Sequence, residues 1–199
     1  MVKRIVTVIV AGLLLFGASA SLAAETYSID PTHSSVVFKV RHLVSKVSGR
    51  FDKFQGAISI DQENLTASSV EFTIDATSID TDNENRDRHL KSEDFFAVEQ
   101  FPVMTFKSSK IAKTGEAMFD VTGDFTMHGV TKTITIPVEL LGLGMGMRGT
   151  PVAGFESSFK LNRKDYGIEW NRTLDAGGVV LGDMVEVNIT IEAGVKADK

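Results

Sequence analysis

Asp30, His33 and Ser34 bring the residue types of a charge-relay hydrolase within five positions. Such chemistry needs a nucleophile on a strained turn and an oxyanion hole, and no G-x-S-x-G occurs. A turn in which Asp30 and Ser34 satisfy backbone groups accounts for the same three residues. The four histidines, His33, His42, His89 and His128, form no HxH or HxxxH pair. Zinc needs three or four convergent ligands, so no metal site is expected. Gly142, Gly144, Gly146 and Gly149 imitate a phosphate loop, but no helical pattern opens after them. A hairpin at the mouth of a barrel suits them better than a phosphate cradle. The densest chemistry lies in Arg86-Asp87-Arg88-His89-Leu90-Lys91-Ser92-Glu93-Asp94-Phe95-Phe96. Its cations suit either a solvated helix face with i,i+4 pairs or a rim that meets a ligand head group.

The elements that must position these groups are almost all strands. Val36, Phe38, Val40 and His42 alternate with Val37, Lys39 and Arg41, the period of a half-buried strand. Tyr27-Ser28-Ile29 reads as a short edge strand. Gly49 opens a further strand, and the phase change between Phe51 and Phe54 predicts a bulge, with Gly56 easing the bend. Val70, Phe72 and Ile74 alternate next. Thr81-Asp82-Asn83-Glu84 matches a capping box, predicting a helix to about Lys91, and Ser92 can cap a second short helix through Ala97. Pro102 returns the chain to strand. Met104 and Phe106 lead to a turn at Gly115. Phe119, Val121, Gly123, Phe125 and Met127 then share one face of a long strand. Val130, Ile134, Ile136 and Val138 follow the His128-Gly129 turn. Phe155, Ser157, Phe159 and Leu161, a turn from Arg163 to Gly167, and Val185, Val187, Ile189 and Ile191 complete the pattern. Eight or nine evenly spaced strands with one helical insertion fit a single antiparallel barrel or sandwich. Twelve of the 13 phenylalanines follow residue 23, mostly at inward positions. An eight-stranded barrel holds either that many side chains or one slender ligand. Glycines at inward positions 123 and 154 would leave room along the axis, and the charged segment would plug one end.

Residues 1–23 have the form of a secretory signal: Lys3 and Arg4, an apolar run from Ile5 to Phe16, then small residues before Ala24. Cleavage there leaves residues 24–199 as one domain and moves the formal charge from −5 to −7. The run is short for a bilayer span, so no stable membrane insertion is expected after cleavage. The chain has no cysteine, which excludes disulfides and thiolate metal sites. An acidic chain without a basic run argues against nucleic acid as a partner.

In order and spacing, several motifs resemble the YceI-like family of secreted, lipocalin-like polyisoprenoid-binding proteins. They are Ile29-Asp30-Pro31-Thr32-His33-Ser34, Phe38-Lys39-Val40-Arg41-His42-Leu43, Gly49-Arg50-Phe51-Asp52-Lys53-Phe54-Gln55-Gly56, the Arg86 to Phe96 segment with Phe101-Pro102, Gly123 to Lys132, and Asp165-Tyr166-Gly167-Ile168. Tyr166 stands where many members carry phenylalanine. The resemblance implies an all-β fold, an extended antiparallel eight-stranded lipocalin-like barrel with a short helical insertion. It further implies an apolar pore for a polyprenyl chain, an isoprenoid quinone precursor or a similar amphiphile, and no catalysis and no cofactor beyond that lipid. The implied pore lining is Phe38, Val40, Phe51, Phe72, Phe106, Phe119, Phe125 and Phe155, the inward positions of the alternation, with His42, Arg86 and His89 as head-group contacts. The expected role is periplasmic binding, transport or sequestration of the lipid. Two other readings stay open: a hydrolase or isomerase using His33 or His89 as general base, and a ligand-free interaction module, a homodimer through an edge strand.

Overall fold

The computed structural model describes residues 24–147, 149–173 and 179–195; the expected signal segment lies outside them. The alternating segments become β1 (Glu25–Ile29), β2 (Ser35–His42), β3 (Ser45–Phe51), β4 (Phe54–Ile60), β5 (Ser69–Asp75) and β6 (Ile79–Asp80). After helix α1 (Glu84–Lys91) come β7 (Val103–Lys113), β8 (Met118–Met127), β9 (Val130–Met145), β10 (Pro151–Asn162) and β11 (Leu181–Val195). Every strand pairing is antiparallel. Eight strands close a ring in the order β1-β4-β5-β7-β8-β9-β10-β11, with β11 returning to β1. On the far half of β11 the sheet continues through β2, β3 and β6.

β1 is therefore no edge strand. Tyr27 lies opposite Ile58 on one side and Val195 on the other, and it is 1% exposed. The closing partner sits at the far end of the chain, where local alternation carries no information. β3 begins at Ser45 rather than Gly49, after a tight turn in which Leu43 takes φ 52°. The phase change after Phe51 is a strand break at Asp52-Lys53, and it keeps both Phe51 and Phe54 buried.

The ladder between β9 and β10 is incomplete. It runs from Met145 opposite Pro151 to Glu139 opposite Glu156 and stops there. Below that point β9 pairs with β8 alone and β10 with β11 alone. Pro137 accounts for the stop, because a strand residue directs its N–H and C=O to the same side and proline has no N–H. Its carbonyl faces β10, accepting a 2.6 Å bond from Ser157 Oγ, so the missing donor would have faced β10 as well.

The helical insertion differs from its expected form at both ends. Asn83, not Thr81, caps α1, its side chain accepting from Arg86 N at 3.0 Å. Thr81 is buried, and its backbone N–H donates to Asp87 Oδ1, which anchors the helix to the strand before it. Glu84 and Asp87 in the first turn and Arg88, His89 and Lys91 in the last complement the helix dipole. The second helix does not form. Residues 92–100 make a chain of turns, with Ala97 N donating to Ser92 O and Ala97 at φ 43°. Eight helical residues are too few to hold a helix in water. Phe95 in the buried core, with Leu90 and Phe96 packed against it, supplies the missing stability.

Candidate functional site

A cavity of about 580 Å³ runs along the inside of the barrel, from Leu181 and His42 at the helix end to Leu143 at the tip of the β9–β10 hairpin. Its wall is overwhelmingly apolar, drawn from the inward positions of every long strand. Phe38, Val40, Phe51, Phe72, Phe106, Phe119, Phe125 and Phe155 all line it, as do His42, Arg86 and His89. The eleven residues expected at the pore and its head-group end thus lie around one hollow rather than in a filled core. The glycines do not make the room. A Cβ on Gly123 would lie 2.7 Å from Phe106 Cζ, so that space is already taken by a ring. Gly154 precedes the inward Phe155 and lies on the other face of β10, against Leu141. The void comes from the girth of eight strands, as expected when inward side chains fall just short of meeting.

The polar lining residues are unevenly placed. His42, Thr81, Asn85, Arg86, His89 and Arg163 gather at the helix end; Ser68, Glu156 and Ser157 are the others. Arg86 is held by Thr81, donating through Nε to Oγ1 at 2.7 Å and through Nη2 to the backbone oxygen at 2.6 Å. His89 Nε2 lies 2.9 Å from Asp94 Oδ2, and its ring meets Phe95 and Trp170 edge-on at 5.0 and 5.1 Å. Arg163 was read from the sequence only as the start of a turn, and it is 4% exposed. It donates to Ile168 O at 2.8 Å, Gly182 O at 3.0 Å and Asp183 Oδ1 at 3.3 Å. Burial pushes its guanidinium below the usual arginine value, against the pull of Asp183. Nothing in the local pattern marks it, because the acceptors come from a loop and from β11. Trp170 was also missed, since the rings it meets, His89 and Phe95, come from the helical insertion.

Along the split between β9 and β10 lies a second hollow of about 380 Å³, with Lys132, Lys160 and Asp165 among its polar residues. Ile134, Ile136, Phe159 and Leu161 border both hollows, so the barrel wall is one side chain thick there.

Asp30, His33 and Ser34 do not make a relay. Asp30 Oδ2 and His33 Nδ1 are 2.8 Å apart, and Asp30 Oδ1 accepts from Thr32 N. Ser34 Oγ instead donates to Glu192 O and accepts from Glu192 N, which ties the β1–β2 corner to β11. Hydrogen bonding to Asp30 raises the pKa of His33, and the same bond lowers that of Asp30. Asp30, His33 and Glu192 offer ligand atoms within 4.8 Å of one another, a convergence that spacing could not reveal because Glu192 comes from the last strand. The side chains of His33 and Asp30 are 63% and 41% exposed, and neither lines the cavity. His89 lines the cavity, but its polar partner is a carboxylate, with no nucleophile in the pair.

A family model described as YceI-like domain matches residues 27–193. A UPF0312 protein of Pseudomonas paraeruginosa is 40% identical over 172 residues, covering 85% of this chain and 89% of its own. A UPF0312 protein of Vibrio vulnificus is 42% identical over 166 residues, covering 81% and 88%. Among solved structures, the Campylobacter jejuni YCEI protein superimposes with a TM-score of 0.69 at 31% identity, covering 80% of this chain and 91% of its own. Burkholderia cenocepacia BcnA shares the fold with a TM-score of 0.73 at 24% identity, over 82% and 98%. A domain of Saccharophagus degradans, described as a polyisoprenoid binding domain implicated in plant cell wall breakdown, shares it at 0.67 and 20% identity, over 88% and 100%.

Proposed function

The chain belongs to the YceI-like family, and from that premise we propose that it binds one polyisoprenoid or similar long-chain amphiphile inside the barrel. It carries or sequesters that lipid in the periplasm, after removal of residues 1–23, and performs no chemistry on it. The observation that carries this reading is the cavity itself, a hollow of about 580 Å³ walled by apolar side chains. Ligand sites of ordinary size span roughly 300–1,000 Å³ with few polar groups. Each methylene buried there contributes about 0.8 kcal/mol, so the hydrocarbon chain dominates affinity. The polar residues at the helix end set its direction, with the head group toward His42, Arg86 and His89 and the tail toward the hairpin. The description of the Saccharophagus degradans domain supports the ligand class. A filled interior would have favoured a ligand-free module, and the hollow argues against it.

The test is lipid extraction from protein purified from its host, followed by mass spectrometry, with titration of a fluorescent polyprenyl probe alongside. A long-chain isoprenoid is the expected extract. Phe119→Asp should abolish probe binding, and Ile136→Trp, which fills the hollow without adding charge, should weaken it while the circular dichroism of the barrel persists. Protein that yields no lipid and binds no prenyl probe would overturn the reading.

A further inference from the structure

β8 begins at Met118, opposite Glu139, so β9 beyond Leu140 has β10 as its one strand neighbour. The β9 arm of the hairpin therefore stands out past the end of β8, while the β10 arm stays paired with β11 up to Val152 opposite Gly194. From Leu140 to Met147 the hairpin carries eight residues without a charge: Leu140-Leu141-Gly142-Leu143-Gly144-Met145-Gly146-Met147. Leu141 is 54% exposed, Leu143 39%, Met145 68% and Met147 108%. Other exposed large apolar residues, such as Val103, Met118 and Met184, stand singly, and Leu43 with Val44 makes a pair on the β2–β3 turn; exposures of that size are ordinary. Four on one projecting hairpin are not.

The direction of these side chains matters more than their number. The register slips by one residue between Gly154 and Phe155, which pairs Phe155 with Leu140 and Ala153 with Leu143. Phe155, Leu140 and Leu143 all line the cavity. Met145 follows on the same face as Leu143, opposite Pro151. The greasy lining of the barrel thus continues past the rim and into solvent without a polar break. The intervening positions are glycines, and a Cβ on Gly142 or Gly144 would meet nothing within 4 Å. The hairpin is a thin apolar blade attached to the tail end of the cavity.

We propose that this hairpin tip docks on a lipid bilayer, inserting Leu141, Met145 and Met147 among the acyl chains so that the cavity opens onto the membrane from which its ligand comes. This rests on the lipid-binding reading above. Four features favour a bilayer over a second copy of the chain. The blade is continuous with a cavity fitted to hydrocarbon, so what meets its tip is what fills its root. Its run from Leu140 to Met147 has no charge to drag into an apolar phase, where one would be costly, and Arg148, which follows it in sequence, is a long cation of the kind that stays at the head-group level. Its alternate glycines make a poor strand for pairing with another edge, since glycine offers nothing to pack across a ladder. Flexible methionines at the tip suit a disordered partner better than a shaped one. The contact proposed is that of the hairpin tip alone; no helix among the described residues is long and apolar enough to span a membrane.

The chain has no cysteine, so a single Gly144→Cys can carry an environment-sensitive fluorophore at the tip, and Glu99→Cys one at the helix end. The probes are vesicles of phosphatidylcholine and phosphatidylethanolamine. The tip label should brighten and shift blue on adding vesicles, insensitively to salt, while the label at residue 99 stays unchanged. Met145→Asp with Met147→Asp should lower the vesicle affinity of the tip by about tenfold or more while binding of a prenyl probe in detergent solution stays intact. An unmoved tip label at saturating vesicles would overturn docking, as would a blue shift that appears without vesicles and grows with protein concentration, which would assign the blade to a second copy. Tip insertion with no prenyl binding would uphold the docking surface and remove the lipid-carrier reading, so the two ideas fail separately.

Discussion

The two ends of the barrel are built on opposite rules. At the helix end Thr81 and Arg163 are buried and the polar groups around them are tied: Arg163 to two carbonyls and Asp183, Arg86 to Thr81, Thr81 to Asp87. Glycines there are crowded, Gly49 lying under Phe38 and Thr81. On the hairpin Leu141, Leu143, Met145 and Met147 are exposed, and a Cβ on Gly142 or Gly144 would meet nothing within 4 Å. A buried polar group is costly unless paired, so a network of paired ones fixes one arrangement. An apolar blade with bare glycines fixes none, and it can adapt to what it meets. The difference teaches where the protein is specific and where it is permissive.

The largest effect that could break this comparison is expected at Arg163. Arg163→Met removes the donor to Ile168 O and Gly182 O and leaves both carbonyls short of a partner at a buried site. The expected cost is about 2–3 kcal/mol, read as a fall in the urea midpoint with little change in slope. Arg163→Lys should recover little, because one ammonium cannot reproduce a fork that reaches acceptors on two segments. A silent Arg163→Met would mean that the helix end is held by packing alone.

How much of this was legible in the sequence follows the same division. Alternation marked β2, β8, β9 and β11, and with them the cavity wall, because which face a strand residue takes is a local property. The partners were not local. Tyr27 looked like an edge because its closing neighbour, Val195, lies at the other end of the described chain. Thr81 looked like a helix cap because the capping pattern reads four consecutive residues, whereas its side chain is spent on Asp87 and Arg86, and Asn83 takes the cap. Arg163 looked like no more than the start of a turn, for want of any sign that Gly182 would come over it. The hairpin was legible as a glycine-rich mouth, but the register slip that sets Leu143 and Met145 on the face of the cavity lining depends on β10. Sequence periodicity thus found the greasy wall and missed the knots that hold it.

A pair of glycine substitutions sharpens the comparison at smaller amplitude. In Gly49→Ala the new methyl would sit 2.4 Å from Phe38 Cζ and 2.7 Å from Thr81 Cγ2, and one of them must move. Overpacking of that kind costs about 1–3 kcal/mol. In Gly144→Ala the methyl meets nothing within 4 Å. Removing a glycine from a strand should then stabilise by roughly 0.5 kcal/mol through the unfolded chain. Thermal unfolding of the two variants should give shifts of opposite sign. Equal losses would show that the hairpin is as tightly packed as the body and undo the contrast.

The smallest effect is the control for all of these. If the helix end is strong because its polar groups are buried, then the same chemistry placed in solvent should count for little. His33 and Asp30 supply that case, 2.8 Å apart, with side chains 63% and 41% exposed. The raised pKa of His33 makes its contribution complete below the unfolded-state value and lost as pH rises through the folded one. The lowered pKa of Asp30 makes its contribution present above the unfolded-state value and lost as pH falls through the folded one. The pair therefore acts in the window between the two, in mildly acidic solution. Titrating His33 by NMR in Asp30→Asn should show its pKa falling back toward the ordinary histidine value. Urea midpoints of the variant and the parent should nonetheless run parallel through that window. Were the midpoint to fall in acid as far as it falls for Arg163→Met at neutral pH, exposure would not be what separates weak ties from strong ones in this barrel.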